Sequence, residues 1–211
     1  MSKEKMSKGK KIGIAVAVLL GLAIIGTLFP GSDEDTTSTS SSESSAPAVK
    51  MSQEEMNKDF NEKTFPLIQQ SFTNYTNDVS EMINAFNAID SGELSDQEAY
   101  DSLTTIMDKL NRIPDFRIDP PKYFNDKQKD QLDSMFLEVT KAADTHRMML
   151  KKVTKEIDEG NLKPSTVSGI TDSTATANEQ INNAINILNN LCDQFGVPQE
   201  NRIQYTDLTQ E

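Results

Sequence analysis

One cysteine and one histidine are all that this chain of 211 residues offers to thiol and imidazole chemistry. With Cys192 alone, no disulfide can close within the chain, so its stability has to come from packing. With His146 alone, the paired Glu-x-x-His ligands of a carboxylate-bridged di-iron bundle are missing, and so is a Cys/His set for zinc. The sequence also lacks a Gly-rich phosphate loop, a Gly-x-Ser-x-Gly elbow and paired carboxylates in a recognisable catalytic context. Bases are scarce: 21 Lys and Arg stand against 33 Asp and Glu, a net charge of −12. Five of those lysines precede residue 12, which leaves residues 31–211 at −16. Phosphate backbones repel such a surface, so the expectation is no nucleic acid, no metal and no cofactor. Partners should be cationic, neutral or apolar. No stretch alternates with period two, so strands are not indicated either.

What is present begins with Ile12 to Phe29, an unbroken apolar run of 18 residues. At about 1.5 Å per residue it spans roughly 27 Å, enough to cross a thin hydrocarbon core. Ile12, Leu19, Leu20, Leu22, Ile24, Ile25 and Phe29 supply its bulk as a membrane anchor. Lys3, Lys5, Lys8, Lys10 and Lys11 lie just before it, which predicts a cytoplasmic N-terminus (residues 1–11) and an exported remainder. The alternative is a cleaved secretory signal, with the protein secreted. A signal has a shorter core and a small-x-small cleavage site close behind. Here the run ends Thr27-Leu28-Phe29-Pro30-Gly31, with bulky residues and a proline where small ones are needed, and the nearest suitable site, Ala46-Pro47-Ala48, is distant. Retention as a single-pass anchor (12–29) is therefore the preferred reading, with the domain outside the cell.

Residues 30–51 form a Ser/Thr/acidic low-complexity linker, too poor in apolar residues to offset the entropy of ordering. Beyond it, 52–196 reads as helix throughout. Four segments carry apolar residues at alternating steps of 3 and 4, the seam of left-handed helix packing. The first runs from Phe65 through Phe72, Tyr75 and Val79 to Ile89. The second runs from Ala99 to Ile113, the third from Leu132 through His146 to Ile157, and the fourth from Val167 to Phe195. Gly92, Gly160 and Gly196 mark ends, and Ser95-x-x-Glu98 is a capping box that starts the second. Pro66 should break or kink an earlier helical stretch containing Met56 and Phe60. Asp119-Pro120-Pro121 can open the third segment. The expected fold is an all-α, antiparallel four-helix bundle behind one transmembrane helix, with a three-helix bundle plus a short accessory helix as the alternative. Residues 197–211 read as a polar tail.

Candidate sites are few. Gly92 to Glu98 resembles the second half of a calcium-binding helix-loop-helix, but Ile89 stands where an oxygen ligand is required, and the capping box accounts for the same residues. His146 falls on the packing stripe, as a core imidazole bonded to a neighbouring helix or as a pH sensor. Cys192 is either a small buried apolar residue or the bridge of a linked dimer. Asn74-Tyr75-Thr76 matches a glycosylation sequon that Tyr75, on the stripe, would cramp. The strongest interaction candidate is the Pro-rich loop that holds Phe116, Arg117, Ile118, Lys122, Tyr123 and Phe124. It offers two readings, a partner-docking surface or a plug folded over the bundle's open end.

These features predict a non-catalytic, membrane-anchored extracellular interaction module on a bacterial cell surface. Such a module would serve as an exclusion or immunity protein, or as an accessory to a secretion or transfer machine. Its partners would be membrane lipid, another surface protein and, in a homo-oligomer, itself. The alternative is a ligand sensor acting through a membrane partner, because about 11 residues before the anchor are too few for an output domain.

Overall fold

A computed structural model describes residues 51–160 and 164–203, the side chains of 164–168 excepted. The anticipated anchor and linker, and the tail beyond 203, lie outside the described residues. Among the described residues the chain is helical with no strand, and no helix is long and apolar enough to cross a membrane. The elements are α1 (Gln53–Asp59), a π-helical turn (Phe60–Thr64), α2 (Phe65–Ser91), α3 (Asp96–Asn111), a 3-10 turn (Ile113–Phe116), α4 (Asp126–Asp158), α5 (Pro164–Phe195) and a second 3-10 turn (Gln199–Asn201).

Pro66 does not break the chain, one of the two outcomes expected there, and a π-helical turn precedes it. The widened turn ahead of it bonds the Phe65 N–H to the Phe60 carbonyl, five residues back. A proline ring clashes with the carbonyl four residues behind it, and a one-residue insertion into the ladder relieves that crowding. Helix therefore continues from Gln53 to Ser91, and Phe60 turns inward to full burial.

The ends follow local chemistry. Gly92 adopts φ 73°, and Glu93 N–H reaches the Ala88 carbonyl at 2.9 Å, closing α2 with a left-handed cap that favours glycine. Ser95 and Glu98 cap α3 reciprocally, as their spacing predicts. The same box appears at Ser52 with Glu55, and at Asn125 with Gln128. This last pair corrects the start of the third segment. Asn125 opens α4, and Asp119-Pro120-Pro121 remains in the loop before it.

The helices pack as a bundle around one core, and most of the described residues of the apolar stripes are buried in it, with Ile89 and Ile157 half-buried against it and Met135, Ala142 and Met149 buried beside them. α4 and α5 share the most extensive backbone approach. Buried alanines at 142, 143, 177 and 184 allow the two backbones to come close. Gln194 bonds to Gln128 and Gln131 at one end, and Thr145 bonds to Gln180 further along, so the pair runs antiparallel. α2 stands further off, held by the bulk of Phe72, Tyr75 and Phe86.

α3 has 16 residues and α4 has 33, so α3 spans about 24 Å beside a helix of about 50 Å. The segment after α3 covers what the short helix leaves open. Ile113 and Phe124 are buried, and five rings (Phe60, Phe65, Tyr123, Phe124 and Phe195) close this end. Phe195 stacks on Phe60 at 4.4 Å and on Phe124 at 5.2 Å between centroids. Val197 and Ile203 are buried here as well, so the first residues beyond α5 pack on the bundle. Phe195→Ala should cost about 3–5 kcal/mol, from lost transfer energy and the cavity left between Phe60 and Phe124. Chemical denaturation of variant and parent measures this, and a loss below about 1 kcal/mol would mean the stack closes nothing.

Candidate functional site

The loop read as a docking surface or plug divides between surface and interior. Phe124 is buried, while Phe116, Ile118 and Tyr123 are half-buried against the core. Arg117 and Lys122 are exposed. The loop is held at several points. Ser71 Oγ on α2 donates to the Phe116 carbonyl at 2.7 Å, and Arg117 pairs with Asp133 on α4 at 2.6 Å. That ion pair is exposed on both sides and stabilises by less than about 1 kcal/mol. The Tyr123 hydroxyl lies 3.4 Å from Thr64 Oγ1 in the π-helical turn. Burial pushes its pKa up to about 12, with a nearby Asp59 adding to the rise, so it stays a neutral phenol. The apolar half of the loop is thus a lid on the bundle, and its basic half faces water.

His146 is fully buried on α4, where its Nδ1 and the Tyr75 hydroxyl of α2 lie 3.2 Å apart. The two rings stack with centroids 6.0 Å apart. This is the core imidazole bonded to a neighbouring helix. Nε2 has no protein partner among the described residues, which makes the charged form costlier still. Burial lowers the His146 pKa to about 4, far from the near-neutral range a pH sensor needs. Cys192 is buried on α5, and burial pushes its thiol up to about 12. It is the small buried apolar residue of the two readings, not a bridge to a second chain. Glu98 commits its carboxylate to Ser95, whose N–H and Oγ donate to it at 2.9 and 2.6 Å.

Sequence reasoning missed a groove of about 270 Å³ between α2 and α3, lined by Asn74, Asn77, Asp78, Glu81, Lys109, Arg112 and Phe116. Lys109 pairs there with Glu81. Asp78 is half-buried, and desolvation raises its pKa against the opposing pull of Lys109 and Arg112. Asp78 and Arg112 take part in none of the ion pairs among the described residues. The groove had no sequence signal, because its charges come from the polar faces of two helices, where solvation is the ordinary reading. No protein-family model, curated protein or solved structure matches this chain.

The buried imidazole sets a pH dependence of stability. Its folded pKa lies below the unfolded value near 6.5, so the unfolded chain binds more protons between those limits. The His146 contribution is therefore complete above about pH 6.5 and is lost as pH falls toward 4, by about 3 kcal/mol in all. Urea midpoints taken at stepwise pH should fall across this window, and His146→Gln should flatten the fall. Equal slopes in parent and variant would mean the ring is solvated and titrates normally.

Proposed function

We propose that this chain is a single-pass membrane protein whose exported part, an antiparallel four-helix bundle, acts by binding another protein and not by catalysis. The observation that carries the non-catalytic reading is the fate of the two residues best suited to chemistry. His146 is sealed beneath Tyr75 and stays neutral, and Cys192 is sealed in α5 and stays a thiol, so neither serves as base or nucleophile at neutral pH. The tether reading is supported by the apolar run from Ile12 to Phe29 and the lysines before it. A bacterial cell surface fits both features.

The route of the chain names a surface. Residues entering the bundle through α1 meet its closed end, where Asn61 Nδ2 donates to the Phe195 carbonyl at 2.9 Å. The loop with Arg117 and Lys122 caps that same end, through Phe124 stacked on Phe60 and Phe195. A partner held beside the anchor would meet exposed bases over half-buried Phe116 and Ile118. With Arg117 paired to Asp133 and Asp115 and Asp119 exposed beside it, a neutral or apolar segment of another membrane protein suits this surface. The α2–α3 groove favours a second reading, an extracellular ligand sensor, because its unpaired Asp78 and Arg112 could hold a small molecule of mixed charge. A thermal shift induced by such a ligand would distinguish it.

Two measurements test the main reading in cells making the full chain. Alkaline extraction should leave the protein in the membrane, with the bundle open to external protease. Recovery from the medium of a form beginning after residue 30 would overturn the tether. A photo-crosslinking residue at Lys122 should capture a second membrane protein that the same residue at Asp101, on α3, does not. Identical adduct patterns from both positions would remove the loop as the docking surface.

A further inference from the structure

Two acids and two bases line the groove between α2 and α3, and only one of each is paired. α2 presents Asn74, Asn77, Asp78 and Glu81, which share one face of the helix. α3 returns beside it after the Gly92 turn and presents Lys109 and Arg112, one turn apart. Lys109 Nζ donates to both carboxylate oxygens of Glu81. One turn back on α2 and one turn further along α3, the same register sets Asp78 across from Arg112. A second rung is expected there, and it is open. Neither side chain is in ion-pair contact with the other or with any described residue. Asp78 is nonetheless half-buried, and desolvation outweighs the pull of both bases on its carboxylate. It has given up part of its hydration and gained no partner in return. The Glu81–Lys109 pair lies on one side of this open rung. On the other lies Phe116, fixed at the level of Ser71 by the hydrogen bond to its carbonyl. The enclosed volume of about 270 Å³ falls just below the roughly 300–1,000 Å³ of sites for drug-sized molecules. That is room for one small molecule.

We infer that the open rung binds a free α-amino acid, its ammonium on Asp78, its carboxylate on Arg112 and an apolar side chain against Phe116. Charge selects the class. Glu81 and Lys109 neutralise each other, which leaves one group for a cation and one for an anion across the groove. A simple anion would satisfy Arg112 and set a like charge before Asp78, and a simple cation would do the reverse. A zwitterion answers both and adds no net charge. Level selects the spacing. Asp78 and Arg112 stand at one height on facing helices, so the ligand's charges must lie close together, as they do about a single α-carbon. The Arg112 guanidinium can take a carboxylate through two parallel N–H donors, while an ammonium offers Asp78 a proton and keeps two for neighbouring acceptors. Asn77 supplies such an acceptor from the same wall. Asn74 Oδ1 already accepts from Gln70 at 3.0 Å, which leaves its amide nitrogen to donate to the carboxylate. The inference rests on the second reading above, that this groove takes a ligand of mixed charge, and is independent of the tether and the loop.

Isothermal titration calorimetry of the full chain tests this, with L-phenylalanine and L-leucine as probes. Each should bind with a dissociation constant of about 1 mM or tighter. N-acetylphenylalanine lacks the ammonium and phenylalaninamide lacks the carboxylate, so both should bind at least about tenfold more weakly than phenylalanine. Asp78→Asn and Arg112→Gln should each weaken phenylalanine binding by a similar factor, with an unchanged helical circular dichroism spectrum. Asp101→Asn, exposed on α3 and outside the groove, should change nothing. Equal binding of either blocked derivative, or binding that survives both groove substitutions, would overturn the assignment. Taurine and glycine betaine separate it from the reading it rests on. If they bind through Asp78 and Arg112 while the amino acids do not, the groove is a mixed-charge site and the amino-acid assignment alone falls. If none of these probes binds, the assignment and the ligand reading of the groove fall together.

Discussion

The shortness of α3 is the constraint around which the rest of the molecule is arranged. Three rods of roughly 30 residues or more cannot enclose a core if the fourth covers only half their length. The missing wall has to come from irregular backbone, which must be apolar inward and satisfied in its hydrogen bonds. The 3-10 turn and the Pro-rich loop meet both demands. Ile113 and Phe124 go in, the Ser71 hydroxyl takes the Phe116 carbonyl, and Phe195 closes the stack from the end of α5. The π-helical turn belongs to the same solution. By inserting a residue ahead of Pro66 it lets α1 and α2 continue as one rod while aiming Phe60 at the same ring stack.

This closure separates the interior from chemistry as well as from water. The Tyr75–His146 pair spans α2 and α4 and is a polar side-chain contact between two helices in a mostly apolar core. A buried neutral imidazole with one ring nitrogen unbonded destabilises the fold relative to a fully satisfied pair. What it supplies instead is specificity, because a hydroxyl on α2 and a ring nitrogen on α4 meet only when the two helices stand in one register.

The regular part of the fold was legible because packing follows spacing. The stripe from Phe65 to Phe86, and the one from Leu132 to Val153, are buried in α2 and α4, together with neighbours such as Ala85, Met135 and Met149. Gly92 and the Ser95–Glu98 box end and begin helices as their local chemistry dictates. The irregular part was less so. Asn125-x-x-Gln128 is as good a capping box as Ser95-x-x-Glu98, yet the prolines at 120 and 121 drew the boundary upstream, since proline is welcome in a first turn. The passage through Pro66 was hidden for a different reason. A π-helical insertion shifts the register by one residue, and a fixed 3-4 template reads such a shift as an end. The α2–α3 groove was hidden because two polar faces become a site only when tertiary packing sets them side by side.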